Sequence, residues 1–205
     1  DHRDLHSFPT RRSSDLRVAE IMDTDGDPIS ACFGFSHLKA GADMAKHVIG
    51  RVYGEFAYVG SQGGLDLRAT KRFEAFARVV QEAGAQLVAS QTFEGASSMD
   101  AGRRATNLLL QQRAPAQAIY FANDDLAAGG LMHCLAEGLA TPGDVALAGF
   151  NGLSFLSALP RLIATTVTPR FDIGQAAAQW LLQSEKDAEA NKVELPAELK
   201  VGQTT

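Results

Sequence analysis

The chain has 205 residues, 45% of them hydrophobic and 21% charged, which is enough apolar material for the core of one large domain or two lobes and excludes a disordered chain. A formal charge of -5 argues against a segment that coats a phosphate backbone, because nucleic-acid modules gather Lys and Arg on one basic face. No apolar run approaches the roughly 18 residues that span a bilayer, and no basic start leads into an apolar run with a small-residue cleavage site, so a soluble protein is expected.

Residues 1–16, DHRDLHSFPTRRSSDL, show neither a helical nor a strand period. Read back into codons, Pro9-Thr10-Arg11-Arg12-Ser13-Ser14-Asp15-Leu16 is CCT ACA CGA CGC TCT TCC GAT CT, which resembles the end of a short-read sequencing adapter, so these residues are set outside the fold. From Arg17 onward, short apolar runs alternate with longer periodic ones, the pattern of βαβ units around a mostly parallel sheet. The spacing predicts strands over 18–22, 56–59, 86–90, 118–121, 145–150, 162–167 and 195–201. Helices are predicted over 38–51, 68–83, 98–111, 124–137 and from Pro169 to about 183. Gly84 and Gly138 supply helix stops, and the polar stretch 184–192 reads as a loop.

Few positions could carry chemistry. The loop Gly60-Ser61-Gln62-Gly63-Gly64 lacks the Lys-Ser/Thr of a P-loop and the spacing of a dinucleotide fingerprint, so it reads as a turn. There is no Gly-x-Ser-x-Gly elbow, and none of the five histidines offers a base beside a nucleophile; His47 and His133 fall mid-helix as packing or surface residues. Cys32 and Cys134 lie in apolar contexts without metal spacing and read as buried reduced thiols. No enzyme, cofactor or metal is expected; a metal held by Asp124 and Asp125 would need further ligands, and none is evident.

Two positions stand out, each with two readings. Asn123 in Asn123-Asp124-Asp125 reads as a helix N-cap, with both acids facing the positive end of the helix dipole. It also sits at the carboxyl end of a parallel strand, where open α/β sheets bind ligands. Arg72, on the helix after the Gly-rich loop, is either a solvated charge or a planar fork that clamps vicinal hydroxyls or a carboxylate.

Five runs, in this order and spacing, resemble the LacI/GalR family of transcriptional repressors. They are Gly34-Phe35-Ser36-His37 before a helix, the stretch from Arg72 to Phe76, Phe121-Ala122-Asn123-Asp124-Asp125-Leu126-Ala127, Val145-Ala146-Leu147-Ala148-Gly149-Phe150-Asn151, and Ala164-Thr165-Thr166-Val167-Thr168-Pro169. The runs Phe93-Glu94-Gly95-Ala96-Ser97-Ser98 and Gly149-Phe150-Asn151-Gly152-Leu153 are closer still to its gluconate-operon repressor branch. The resemblance implies an α/β, periplasmic-binding-protein-like fold of type I with two lobes and the effector between them. Residues 17–53 and 162–192 would be parts of a truncated first lobe, and 54–161 with 193–205 the second. A helix-turn-helix head absent from this chain would bind operator DNA, and the protein would be a cytoplasmic homodimer with no membrane partner. The helix 124–137, with Leu156 and Leu159, is the candidate interface.

By the same resemblance, Arg72 and Asn123 match the arginine and amide that grip effector hydroxyls, and Phe150 lies beside Asn151 in its run. Two departures bear on the ligand: Asn151 stands where many members have an aspartate, and Ser97 where some have an aromatic platform. An aspartate facing an anionic ligand at about 4 Å would cost on the order of 4 kcal/mol at an effective dielectric near 20, and asparagine removes that repulsion. The expected effector is therefore a sugar acid such as gluconate. Lys39 is either a further counter-charge or a solvated lysine. The alternative is a periplasmic sugar-binding protein of a transport system, which shares the core and lacks the head.

Overall fold

The computed structural model describes residues 17–51, 53–61, 66–112, 115–183 and 192–205. The adapter-like stretch, residues 62–64 of the Gly-rich loop and most of the 184–192 loop fall outside the described residues. The chain divides into two units, one comprising residues up to Phe35 with Pro169–Leu195, the other Ser36–Thr168 with Pro196–Thr205.

In the first unit, β1 (Ala19–Ile21) pairs in parallel with β2 (Ala31–Gly34), and β2 with β8 (Lys192–Glu194). The helix α5 (Arg170–Leu182) packs on β1 and β2. Trp180 on α5 meets Phe33 of β2 at 5.8 Å between ring centroids. The Arg17 guanidinium lies 4.0 Å from the Trp180 centroid and donates to the carbonyls of Trp180 and Gln183, a cation placed where the helix dipole is negative. β2 was not predicted: its four residues, all buried, form an apolar run too short for periodicity to show.

The second unit is built on a six-stranded sheet, of which five strands are β3 (Glu55–Ser61), β4 (Gln86–Phe93), β5 (Ala118–Phe121), β6 (Ala146–Asn151) and β7 (Ala164–Val167). The sixth is β9 (Glu198–Lys200), and the order is β4-β3-β5-β6-β7-β9, parallel except for the antiparallel pairing of β9 with β7. The helices are α1 (His37–Ile49), α2 (Leu67–Glu82), α3 (Met99–Leu110) and α4 (Asp124–Ala136). Each starts on a side-chain cap that accepts the amide three residues on: Ser36, Asp66, Ser98 and Asn123 in turn. Gly84 and Gly138 follow α2 and α4 at φ of +73° and +71°, the left-handed conformation that closes a helix.

The lobe boundaries differ from those expected. Residues 36–53 and 162–168 were assigned to the first lobe, yet α1 packs on α2 and β7 is hydrogen-bonded into the six-stranded sheet. Strand β7 lies beside β6, so its pairing, which sequence order does not reveal, decides its unit. The helix expected at a dimer interface also has another use. On α4, Leu126, Ala127, Ala128, Leu131 and Cys134 are all buried, packed against α3 and the sheet, and Leu156 is buried as well; Leu135 is the large apolar side chain α4 leaves exposed. Both cysteines are buried and unpaired.

Candidate functional site

Strands β5 and β6 are neighbours, so their carboxyl ends bring residues 121–123 beside 149–151. Over this edge lies Arg72, in the second turn of α2 and only 5% exposed. Its Nη2 donates to the Ala122 carbonyl at 2.9 Å, its Nη1 to His37 Nδ1 at 2.9 Å, and its guanidinium stacks 3.8 Å from the centroid of Phe150. A guanidinium cannot accept, so Nδ1 of His37 carries the lone pair. The His37 ring also lies 5.9 Å from Phe150. Arg72 is thus no solvated helix charge. Its Nε has no hydrogen-bond partner, and none of the ion pairs among the described residues involves it.

The backbone of α2 at Arg72 sits hard against α1. A Cβ at Gly41 would fall 2.1 Å from the Arg72 carbonyl oxygen, far inside contact distance. Gly41→Ala must therefore push the helices apart, and the expected cost is about 1–3 kcal/mol. Thermal unfolding measures it, and an unchanged Tm would show that the two helices part freely.

Asn123 unites its two readings. Its Oδ1 caps α4 by accepting from Leu126 N at 3.1 Å, while its Nδ2 donates to Ser97 Oγ at 2.7 Å. Because Ser97 accepts that bond, its own hydroxyl hydrogen is free to donate, and Ser97 is exposed. Asn151 ends β6 at φ +118°, a conformation that side-chain-bearing residues rarely adopt. Its carbonyl accepts from the Thr168 amide and hydroxyl, both at 3.3 Å. The structure therefore joins two pairs by direct contact, Arg72 with Phe150 and Asn123 with Ser97; Arg72 holds the carbonyl of Ala122, next in chain to Asn123, and Asn151 is next in chain to Phe150. Lys39 is different: its ammonium pairs with Asp43 one turn along α1, and its side chain is 66% exposed, the solvated alternative.

Sequence reasoning treated Asp124 as a partner of the helix dipole and passed over His37. Asp124 is in fact 0% exposed. Its Oδ1 accepts from the Thr165 hydroxyl at 2.7 Å and its Oδ2 from the Leu153 amide at 2.8 Å. Burial pushes its carboxyl up to about 6, against the pull of the Leu153 amide, the Thr165 hydroxyl and the Gly152 amide, while Asp125 adds to the rise. A signal existed, since α4 is apolar around its circumference and an acid opening such a helix must be buried and hydrogen-bonded. Nearby, burial raises the Tyr120 phenol, and the charge of Arg72 and a hydrogen bond with its side chain hold it back. Among the described residues no group of three or more His, Cys, Asp or Glu could hold a metal ion, and no helix is long and apolar enough to cross a membrane.

A parallel sheet flanked by helices, with polar side chains collected at its carboxyl edge, defines an α/β ligand-binding domain. The model of the periplasmic binding protein-like domain matches residues 45–205, and the chain belongs to that family, in the form carried by LacI-family transcriptional regulators. It is 32% identical over 196 residues to the HTH-type transcriptional regulator GntR of Pseudomonas aeruginosa, covering 94% of this chain and 57% of the relative. A LacI-family transcriptional regulator from Silicibacter pomeroyi superposes with a TM-score of 0.85 at 36% identity, covering 91% of this chain and 57% of that one. The transcription regulator GntR from Chromobacterium violaceum gives a TM-score of 0.85 at 30% identity, over 94% of this chain and 71% of that one. The chain thus spans a little over half the length of the Pseudomonas relative. These relatives are named as regulators, not as enzymes or transport proteins.

Proposed function

We propose that the chain is the effector-sensing core of a LacI-type repressor and that the group around Arg72 takes a sugar acid, gluconate first among candidates. One observation carries this reading. Arg72 is a buried cation held by a carbonyl, an imidazole lone pair and an aromatic face, with no carboxylate ion-paired to it among the described residues. A buried charge is costly unless compensated, and a ligand carboxylate supplies the missing counter-charge. The free Ser97 hydroxyl hydrogen and the amides of Asn123 and Asn151 add neutral donors, with no carboxylate among these side chains to repel an anion.

In the whole protein, effector binding biases a two-state rearrangement that loosens a helix-turn-helix head from operator DNA, in a cytoplasmic homodimer. Such coupling is typically about 1–3 kcal/mol and reciprocal, so operator DNA weakens effector binding by the same factor. Calorimetry on the full-length regulator tests the ligand: gluconate is expected to bind at least about tenfold more tightly than glucose, roughly 1.4 kcal/mol. Tight binding of the neutral hexose with none of gluconate would refute it.

A further inference from the structure

Asn151 is the one proposed ligand residue whose backbone is strained. Its φ of +118° costs a residue with a side chain on the order of 1–3 kcal/mol, and such a conformation persists only where its surroundings impose it. What imposes it here lies across the sheet edge. The Asp124 carboxyl receives the Leu153 amide at 2.8 Å on one oxygen and the Thr165 hydroxyl at 2.7 Å on the other, and Thr165 Oγ1 in turn receives the Gly152 amide at 3.3 Å. On the other side, the Asn151 carbonyl is held by Thr168. Room for the carboxyl exists because residue 149 is glycine: a Cβ there would stand 2.6 Å from Asp124 Oδ1.

We propose that Asp124 is a positioning residue of the effector site, whose buried carboxyl ties down the 151–153 turn and so presents Asn151 to the ligand. Asp124 directly follows Asn123 in the chain, so one N-terminal turn of α4 sets both amides, Asn123 by its own cap and Asn151 through Asp124. This assignment rests on the reading of Asn151 as a ligand residue, but its first half, the tie to the turn, stands without any ligand.

The test uses the full-length regulator, read by amide hydrogen exchange without ligand and by gluconate affinity. In Asp124→Ala the Leu153 amide is expected to exchange at least about tenfold faster, while the Leu126 amide, capped by Asn123, keeps its rate. Affinity for gluconate is expected to fall about tenfold, and Asp124→Asn, which still offers Leu153 an acceptor and can donate to Thr165, restores most of it. In an Asn151→Gly background, where the turn needs no restraint and the amide is gone, Asp124→Ala is expected to change the already weakened affinity less than about twofold. An equal loss in both backgrounds, or an unaltered Leu153 amide, overturns the proposal. If Asp124→Ala does not fold, Thr165→Val decides: faster Gly152 exchange with weaker binding supports the proposal, and no change in either overturns it. If the unmodified regulator binds no sugar acid, the reading of the ligand falls, and the exchange rates alone decide whether Asp124 holds the turn.

Discussion

Replacing Arg72 by alanine is expected to abolish measurable effector binding and to destabilise the fold by about 2–4 kcal/mol. The Ala122 carbonyl and the His37 Nδ1 lose their donor, and each hydrogen bond to a charged group contributes about 1.5–3 kcal/mol. The stacking on Phe150 goes as well, at about 2 kcal/mol for a desolvated pair. Against these losses, the variant no longer has to bury a cation, which keeps the net cost below the sum. Arg72→Lys is a sharper probe. It retains the charge as a single point, which cannot reach Ala122 and His37 together or lie flat on a ring, so it is expected to keep part of the stability and lose most of the affinity. Urea unfolding alongside calorimetry separates the two effects. Wild-type affinity in Arg72→Ala would remove Arg72 from the site altogether.

Stability is expected to decline as the pH rises from about 4 to about 7, by up to about 3 kcal/mol from Asp124 alone, since the group titrates near 6 when folded against an ordinary 3.8. The sign follows from proton counting. Between those two values the folded protein holds a proton that the unfolded chain has released, so raising the pH favours unfolding; below 3.8 both forms are protonated and the contribution is complete. Asp125 adds to the rise at Asp124, and the Asp124 charge in turn raises the Tyr120 phenol. Asp124→Asn removes the titration and is expected to flatten the profile relative to the parent while matching or exceeding its stability at pH 8. Urea midpoints for both proteins at several pH values provide the comparison, and parallel profiles would show that Asp124 ionises freely in the fold.

The geometry of the candidate site was partly legible because local rules act over a few residues. Asn123 before an apolar helix is an N-cap by composition, and it caps α4. Arg72 was visible only as a choice between solvent and cleft, because an arginine in a mixed helix carries no mark of its surroundings; burial beneath Phe150, a contact 78 residues along the chain, removed the first option. Asp124 was misjudged for a related reason. Its partners Leu153 and Thr165 lie 29 and 41 residues away, beyond any window in which a helix-opening acid can be read.

The amino-acid sequence alone determined the βαβ alternation, the caps and stops of the helices, the resemblance to LacI-type regulators and the residues worth watching, since each depends on spacing or on the conformational preference of single residues. Only the tertiary structure decided that β7 joins the six-stranded sheet, that α4 is buried on several sides, that Arg72 has no carboxylate partner among the described residues and that Asp124 lies under the Asn151 turn. Those outcomes hang on which strands pair and on how completely water is excluded between distant segments. Both are properties of the packed chain, and no local stretch of it contains them.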